Sequence, residues 1–329
     1  MRYVVFFNEA NPDPASLGGK GSNIVRLVNI GANVPPGFII TVASYDRFLE
    51  ESKYRTQLRE LLSKSPQPRD VVNLSRSIRK LVLESEVPRG VAREVRIALN
   101  RMRKESGNED SFAVRSSATI EDMSTFSFAG QYETYLNNNS LRQILLAVRN
   151  CWASLFSLQA LAYFVQMERV GKKYPLSDVH MAVVIQKMID SQVSGVMFTA
   201  NVMNNNRDQM MINSTWGLGE AIANNSVVPD MIVLEKKRFK ILRAVIGEKE
   251  KTSVRNPRDI GTITIDTDPK LRARCSLNDC QMRELLELGL RLEGKLDFPQ
   301  DIEWAIEDGR VYVLQSRPIT TLKAGGQTQ

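Results

Sequence analysis

The chain has 329 residues, 43% of them hydrophobic, with 44 lysines and arginines against 37 aspartates and glutamates, a net charge of +7. That is enough apolar material for one large or two ordinary domains. It contains no run of about 18 apolar residues to span a bilayer, no long block of like charge and no aromatic-basic nucleic-acid motif, so neither membrane nor nucleic acid is an expected partner.

The excess of positive charge favours anionic ligands without naming one. Cys151, Cys275 and Cys280 are odd in number, and neither their spacing nor the single histidine, His180, suits zinc. They read as reduced structural thiols. One histidine at the start of a strand pattern reads as structural, which removes histidine triads, histidine metal sites and hydrolases that need a histidine base. The N-terminal apolar run, residues 3–7, is too short for a signal-peptide core, and the expected location is cytoplasmic.

In chain order, residues 2–7 read as a strand. A turn-rich stretch ends in Gly18, Gly19, Lys20 and Gly21, and a helical pattern follows through Ile24, Leu27 and Val28. A strand over 37–41 follows Pro35-Pro36. From 44 to 103 apolar residues recur at helical spacing, broken at 64–68 and near Pro88, which predicts a helical subdomain over about 44–105. Residues 111–115 return to strand, a loop holding Gly130 leads into a strand over 132–136, and 141–167 form one long amphipathic helix with Trp152, Leu155 and Phe156 in the core.

After Gly171 and Pro175 the texture turns to strands, at 181–188, 195–199, 210–213 and 231–235, then to a basic stretch over 236–255. A helix over 277–296 precedes a hairpin over 301–319 turning at Asp308-Gly309. The expected division is a first lobe over 1–175, a second over 176–322 and a disordered tail over 323–329.

Four separated segments carry groups that phosphate and metal chemistry needs: residues 17–21 (LGGKG), 113–119 (AVRSSAT), 125–131 (TFSFAGQ), and 301–304 (DIEW) with 315–318 (QSRP). The first is not a Walker A loop, since Pro14 stands where glycine should be and Gly21 where serine or threonine should be. What remains is Lys20 on a glycine-bearing helix entry, where free amides, the helix dipole and an ammonium suit a phosphate. Arg115 offers a planar guanidinium fork at a strand end among hydroxyls; a structural salt bridge is the plain alternative. Ser127, Gly130 and Thr134 belong to a loop able to close over a triphosphate. Residues 217–220 (GLGE) are half of a dinucleotide fingerprint, with Ile222 in place of the third glycine, and read as loop support.

In the final hairpin, Ile302, Trp304 and Ile306 alternate with Asp301, Glu303 and Ala305, and the return strand is expected to place Val311, Val313, Gln315 and Arg317 on one face. A carboxylate, an amide and an arginine on one face of a sheet are costly unless they bind something charged. A two-residue turn at Asp308-Gly309 would set Glu303 opposite Leu314, away from Gln315. A shared metal site at Glu303 and Gln315 therefore requires an odd-numbered loop or a bulge at Gly309.

Over residues 15–321 the stretches LGGKGSNIVRL, VPPGFIIT, AVRSSATIEDMSTFSFAGQYETYLN, AVVIQKMI, SGVMFTAN, GLGEAI and DIEWAIEDGRVYVLQSRPIT resemble the ATP-grasp nucleotide-binding domain shared by phosphoenolpyruvate synthase, pyruvate phosphate dikinase and rifampin phosphotransferase. The resemblance implies an α/β (α+β), two-lobed ATP-grasp fold with the helical subdomain in the first lobe. It implies that Lys20, Arg115, Gly130 and Thr134 hold ATP, with Arg115 on the phosphates, and that Gln186 lies near the adenine. It further implies that Glu303 and Gln315 hold Mg²⁺ and that Arg317 joins them on the phosphates, with Arg115, Glu303 and Arg317 as the catalytic groups.

The implied reaction moves the β-phosphoryl of ATP to a histidine on a swivelling domain, leaving AMP and phosphate. His180 lacks the glycine- and threonine-rich context of such a histidine, so the expected acceptor is a phosphohistidine domain or subunit in trans. Asn201-Val202 and Asn224-Asn225 also depart from the family's usual residues. The alternatives are the ATP-binding part of a rifampin-type antibiotic phosphotransferase and a non-catalytic nucleotide-binding regulatory module.

Overall fold

The computed structural model describes residues 2–106, 111–120, 133–169, 171 and 175–322. The chain divides into two compact units, Met1–Arg26 with Pro36–Met188, and Leu27–Pro35 with Ile189–Gln329. The change of texture near residue 175 is therefore not where the units part. The strand over 181–187 is central to the first sheet, which carries that unit on to Met188.

The first unit holds an antiparallel sheet built from β1 (Val4–Phe6), β2 (Gly37–Ile40), β3 (Phe112–Ala118), β4 (Thr134–Asn138) and β5 (Met181–Lys187), in the order β1-β2-β5-β3-β4. Phe112, Val114 and Ala118 of β3 and Met181, Val183 and Ile185 of β5 point into one core with the helices. By strand alternation Ala113, Arg115 and Ser117 point the other way, as do Ala182, Val184 and Gln186.

The helices packed on that core are α2 (Val42–Glu51), α3 (Arg55–Leu62), α4 (Val71–Glu84), α5 (Arg89–Ser106), α6 (Leu141–Ser154) and α7 (Leu158–Arg169), with α1 (Pro14–Asn29) outside it. Their apolar stripes, such as Ile78 and Val82 or Val91, Val95 and Leu99, fill that core.

The helix expected over 141–167 is two. Ser154 turns its hydroxyl back onto the Cys151 carbonyl at 2.7 Å, and Ser157 caps α7 by accepting from the Ala160 amide at 3.2 Å. Ser75 donates to the Phe156 carbonyl at 2.6 Å within the break. Residues 141–168 carry a window apolar enough to cross a membrane by composition, yet 67% of that window is buried, with Trp152 and Phe156 in the core as expected.

The second unit holds a six-stranded antiparallel sheet in the order β13-β12-β6-β7-β8-β9. Its strands are β6 (Val193–Phe198), β7 (Gln209–Trp216), β8 (Asp230–Glu235), β9 (Lys240–Val245), β12 (Gln300–Glu307) and β13 (Arg310–Pro318). After the short helices α8 (Glu220–Ala223) and α9 (Pro269–Arg272) comes α10 (Asp279–Leu296), on which one face of the sheet packs through Met282, Leu285, Leu286 and Leu292. Gly289 permits the close approach, because a Cβ there would stand 2.4 Å from Met210.

The basic stretch at 236–255 forms β9 and β10 (Lys251–Arg255), and β10 pairs with β11 (Thr262–Asp266). The lysines and arginines hid these strands because both sit where charged side chains stay in water. Residues 217–220 support this ribbon as expected. Leu218 donates its amide to the Ser253 carbonyl at 2.9 Å, and the Glu220 carboxylate accepts from the Ser253 and Thr262 hydroxyls.

Candidate functional site

In the first unit the glycine entry and β3 are one construction. Gly18 alone departs from helical geometry within α1 (Pro14–Asn29), at φ 67°, and a Cβ there would stand 2.0 Å from the Ser117 carbonyl oxygen. Only glycine fits. The Ser117 hydroxyl donates to the Leu17 carbonyl at 2.8 Å and accepts from the Gly21 amide at 2.9 Å. Lys20 thus lies in the first helical turn after the kink, half-buried, rather than on an open loop. The Gly21 amide is already taken, so the helix entry offers fewer free donors than the sequence suggests.

Arg115 shares the face of β3 with Ser117 and is the one half-buried residue in an otherwise buried strand. It sits directly across from Thr134 on β4 and from Val184 on β5. Its guanidinium Nη1 lies 3.5 Å from the Gln186 Oε1. Gln186 is 2% exposed, and its Nε2 has no hydrogen-bond partner among the described residues. An unsatisfied buried amide donor beside a guanidinium suits a ligand with acceptors. Gly130 lies outside the described residues. Ser117 was not singled out in the sequence, though a hydroxyl two residues after an arginine on a strand shares its face.

His180 is pinned. Its Nδ1 lies 2.7 Å from the Asp46 carboxylate, its ring stands edge-on to Tyr45, and the Thr119 amide donates to its carbonyl at 3.0 Å. The Asp46 hydrogen bond raises its pKa above the ordinary imidazole value against the opposing effect of burial. Cys151 is fully buried, and burial pushes its thiol pKa up, which fits an inert core thiol.

In the second unit the hairpin turn is the two-residue one, with Asp308 at φ 50° and Gly309 at φ 73°. From it the register runs Ile306↔Val311 and Trp304↔Val313, then shifts, and continues Glu303↔Gln315 and Asp301↔Arg317. The extra residue is Leu314. The bulge required for a shared site is present, at Leu314 and not at Gly309. It also corrects the expected face: Val311 and Val313 point into the core with Trp304, whereas Gln315 and Arg317 point out with Glu303 and Asp301.

On that outward face Arg317 donates Nε and Nη2 to Asp301 Oδ2, at 2.8 and 2.7 Å. Burial raises the Asp301 pKa, outweighing the lowering by Arg317. Gln315 is 9% exposed, and its Oε1 has no hydrogen-bond partner among the described residues. Among the described residues no cluster of three histidine, cysteine, aspartate or glutamate side chains is present. A site here would rest on Glu303 and the Gln315 amide oxygen, hard oxygen donors suited to Mg²⁺. Asp301 was missed as a separate group; its place two residues before Glu303 on the same face was the available signal.

Residues 14–329 match the family described as pyruvate phosphate dikinase, AMP/ATP-binding domain. The chain belongs to this family. Among curated relatives of this AMP/ATP-binding family, a "probable phosphoenolpyruvate synthase" of Methanothermobacter thermautotrophicus is 38% identical over 98% of this chain and 46% of its own length. The phosphoenolpyruvate synthase of Pyrococcus furiosus is 36% identical over 98% of the chain and 44% of its own length. The rifampicin phosphotransferase of Streptomyces sviceus is 38% identical over 98% of the chain and 36% of its own length. The chain thus spans less than half the length of these relatives.

Proposed function

We propose that this chain performs the ATP half-reaction of a phosphoenolpyruvate-synthase-like phosphotransferase. In this reaction the β-phosphoryl of ATP passes to a histidine outside these residues, on a partner subunit or a further domain, leaving AMP and phosphate. The observation that carries the proposal is the bulge at Leu314. It sets Glu303 directly across from Gln315, whose buried amide oxygen has no hydrogen-bond partner among the described residues. The bulge re-aims the strand's side chains, and an unsatisfied buried acceptor costs stability that binding a cation offsets.

Glu303 and Gln315 would hold Mg²⁺, which when bound neutralises charge on the phosphate oxygens. Arg317, oriented by Asp301, lends its guanidinium charge to the phosphates. In the first unit Lys20 acts as a point cation, and Arg115, opposite Thr134, presents its fork to the phosphate charge that develops during transfer. Gln186 offers its amide donor to the base. His180 is tied to Asp46 and Thr119 at the foot of β5. It does not travel, which is why the acceptor is placed elsewhere. Relatives of both names align along 98% of this chain, and the matched family is AMP/ATP-binding, which supports the ATP step ahead of any final acceptor.

The test supplies the purified chain with ATP, Mg²⁺ and the histidine-bearing domain of a phosphoenolpyruvate synthase. Acid-labile phosphohistidine should form on the added domain, with AMP as product. Without that domain the nucleotide should raise the melting temperature through linkage and leave no phosphoprotein. Glu303→Gln should keep the fold and lose the Mg²⁺-dependent transfer. Normal transfer in that variant, phosphorylation of His180, or ADP as the stable product would each refute the proposal.

A further inference from the structure

β9 is the terminal strand of the second unit's sheet, and all six of its residues are exposed. Exposed edge strands in stable proteins are usually short of apolar side chains, because a row of free N–H and C=O groups invites pairing. Here Ile241, Leu242 and Val245, with Ile246 just past the strand, are each between 41% and 45% exposed. The register sorts the strand by face. Ile241 and Ala244 pair with Leu234 and Ile232 on the α10 side, while Lys240, Arg243 and Val245 pair with Glu235, Val233 and Met231 on the other. No acidic residue occurs between Lys236 and Gly247, and Arg238, Lys240 and Arg243 have no ion-pair partner among the described residues.

The strand is also held rigidly at its end. Immediately after it, Gly247 donates its amide to Asp230 Oδ1 at 2.9 Å. The fully buried Lys249 ammonium pairs with the same carboxylate and donates to the Gly247 carbonyl at 2.8 Å. Asp230 Oδ2 accepts from the Ser276 amide and hydroxyl, each at 2.7 Å. A charged pair at 0% exposure fixes the chain just beyond β9 to the strand beside it. An edge held in this way loses little entropy when another strand adds to it.

We propose that β9 receives an extended segment of a partner protein, alternating apolar with acidic residues, as a seventh strand of this sheet. The apolar positions would cover Ile241, Ala244 and Ile246, and the acidic ones would meet Lys240 and Arg243 on the opposite face. Charge argues against a second copy of this chain, since antiparallel pairing of two β9 strands would bring their lysines and arginines together. A nucleic acid would find no stacking ring on the strand, and the neighbouring Phe239 is covered by the Arg283 guanidinium 4.2 Å from its centroid.

The test uses the full chain and a dye-labelled, capped ten-residue peptide alternating valine and glutamate, followed by fluorescence anisotropy and amide hydrogen exchange. Saturable binding should slow exchange across residues 240–246. Arg243→Glu should weaken binding at least tenfold with an unchanged melting temperature, and should shift preference to a peptide alternating valine and lysine. Ile241→Ser should weaken both peptides. Any of four results would overturn the proposal: equal binding of both peptides by the unaltered chain; no protection of 240–246 at saturation; protection that appears without peptide and grows with protein concentration, marking a second copy; or stronger protection by a duplex DNA oligonucleotide.

Discussion

β3 of the first unit alternates without interruption, Phe112, Val114 and Ala118 facing the core and Arg115 and Ser117 facing away. β13 of the second unit begins with the same rule and breaks it. Val311 and Val313 face the core, and after Leu314 the odd-numbered residues Gln315 and Arg317 face out. Both sheets end with a polar row on the face opposite their core, one by simple period and one by an inserted residue. Alternation fixes which residues share a face only as far as the next bulge.

Substitutions on the two polar rows should separate chemistry from stability. Arg115→Lys keeps the charge but loses the planar fork. Phosphoryl transfer should fall by about 10³-fold, as arginine contacts to a transferring phosphoryl group do, while ATP affinity measured by calorimetry falls far less. Equal losses would assign Arg115 to ground-state binding.

Adjacent residues of β12 should then diverge. Trp304 is fully buried, and Trp304→Ala should cost about 3–5 kcal/mol in denaturant unfolding. Glu303→Gln, one residue away on the opposite face, should change stability by no more than about 0.5 kcal/mol. Similar costs for both would mean that the faces are not divided as the register implies.

Gly18→Ala probes the first unit's own constraint. With φ at 67° and the Ser117 carbonyl 2.0 Å from the new Cβ, the helix entry must move off β3. We expect a loss of about 1–3 kcal/mol and weaker nucleotide binding; an unchanged melting temperature would show that the contact is not needed.

The smallest effect concerns His180. Its folded pKa is raised above 6.5, so the Asp46 contact contributes fully below the unfolded value and is lost as pH rises through the folded one. His180→Asn should flatten the decline in stability above pH 6.5. An unchanged slope in the variant would remove His180 from the linkage.

Much of this was legible in the sequence. The strands around Arg115 and Gln186, the helical subdomain and the hairpin all follow from apolar period and turn residues. Three things were not. The bulge has no composition of its own, because Leu314 is as good a strand residue as its neighbours. β9 and β10 carry lysines and arginines at exposed positions, which reads as a charged stretch. The pinning of Gly18 onto Ser117 joins residues about a hundred positions apart, and no local pattern encodes such a contact.

The buried Asp230–Lys249 pair limits the paths along which this sequence can change. Losing either partner alone strands a charge at 0% exposure, a cost of about 3–5 kcal/mol, whereas apolar residues of matching volume at both positions can be neutral or better. A single-step route through Asp230→Ala or Lys249→Ala passes through a protein that has lost much of its margin against unfolding. Among descendants of this chain the two positions should therefore persist or be replaced together.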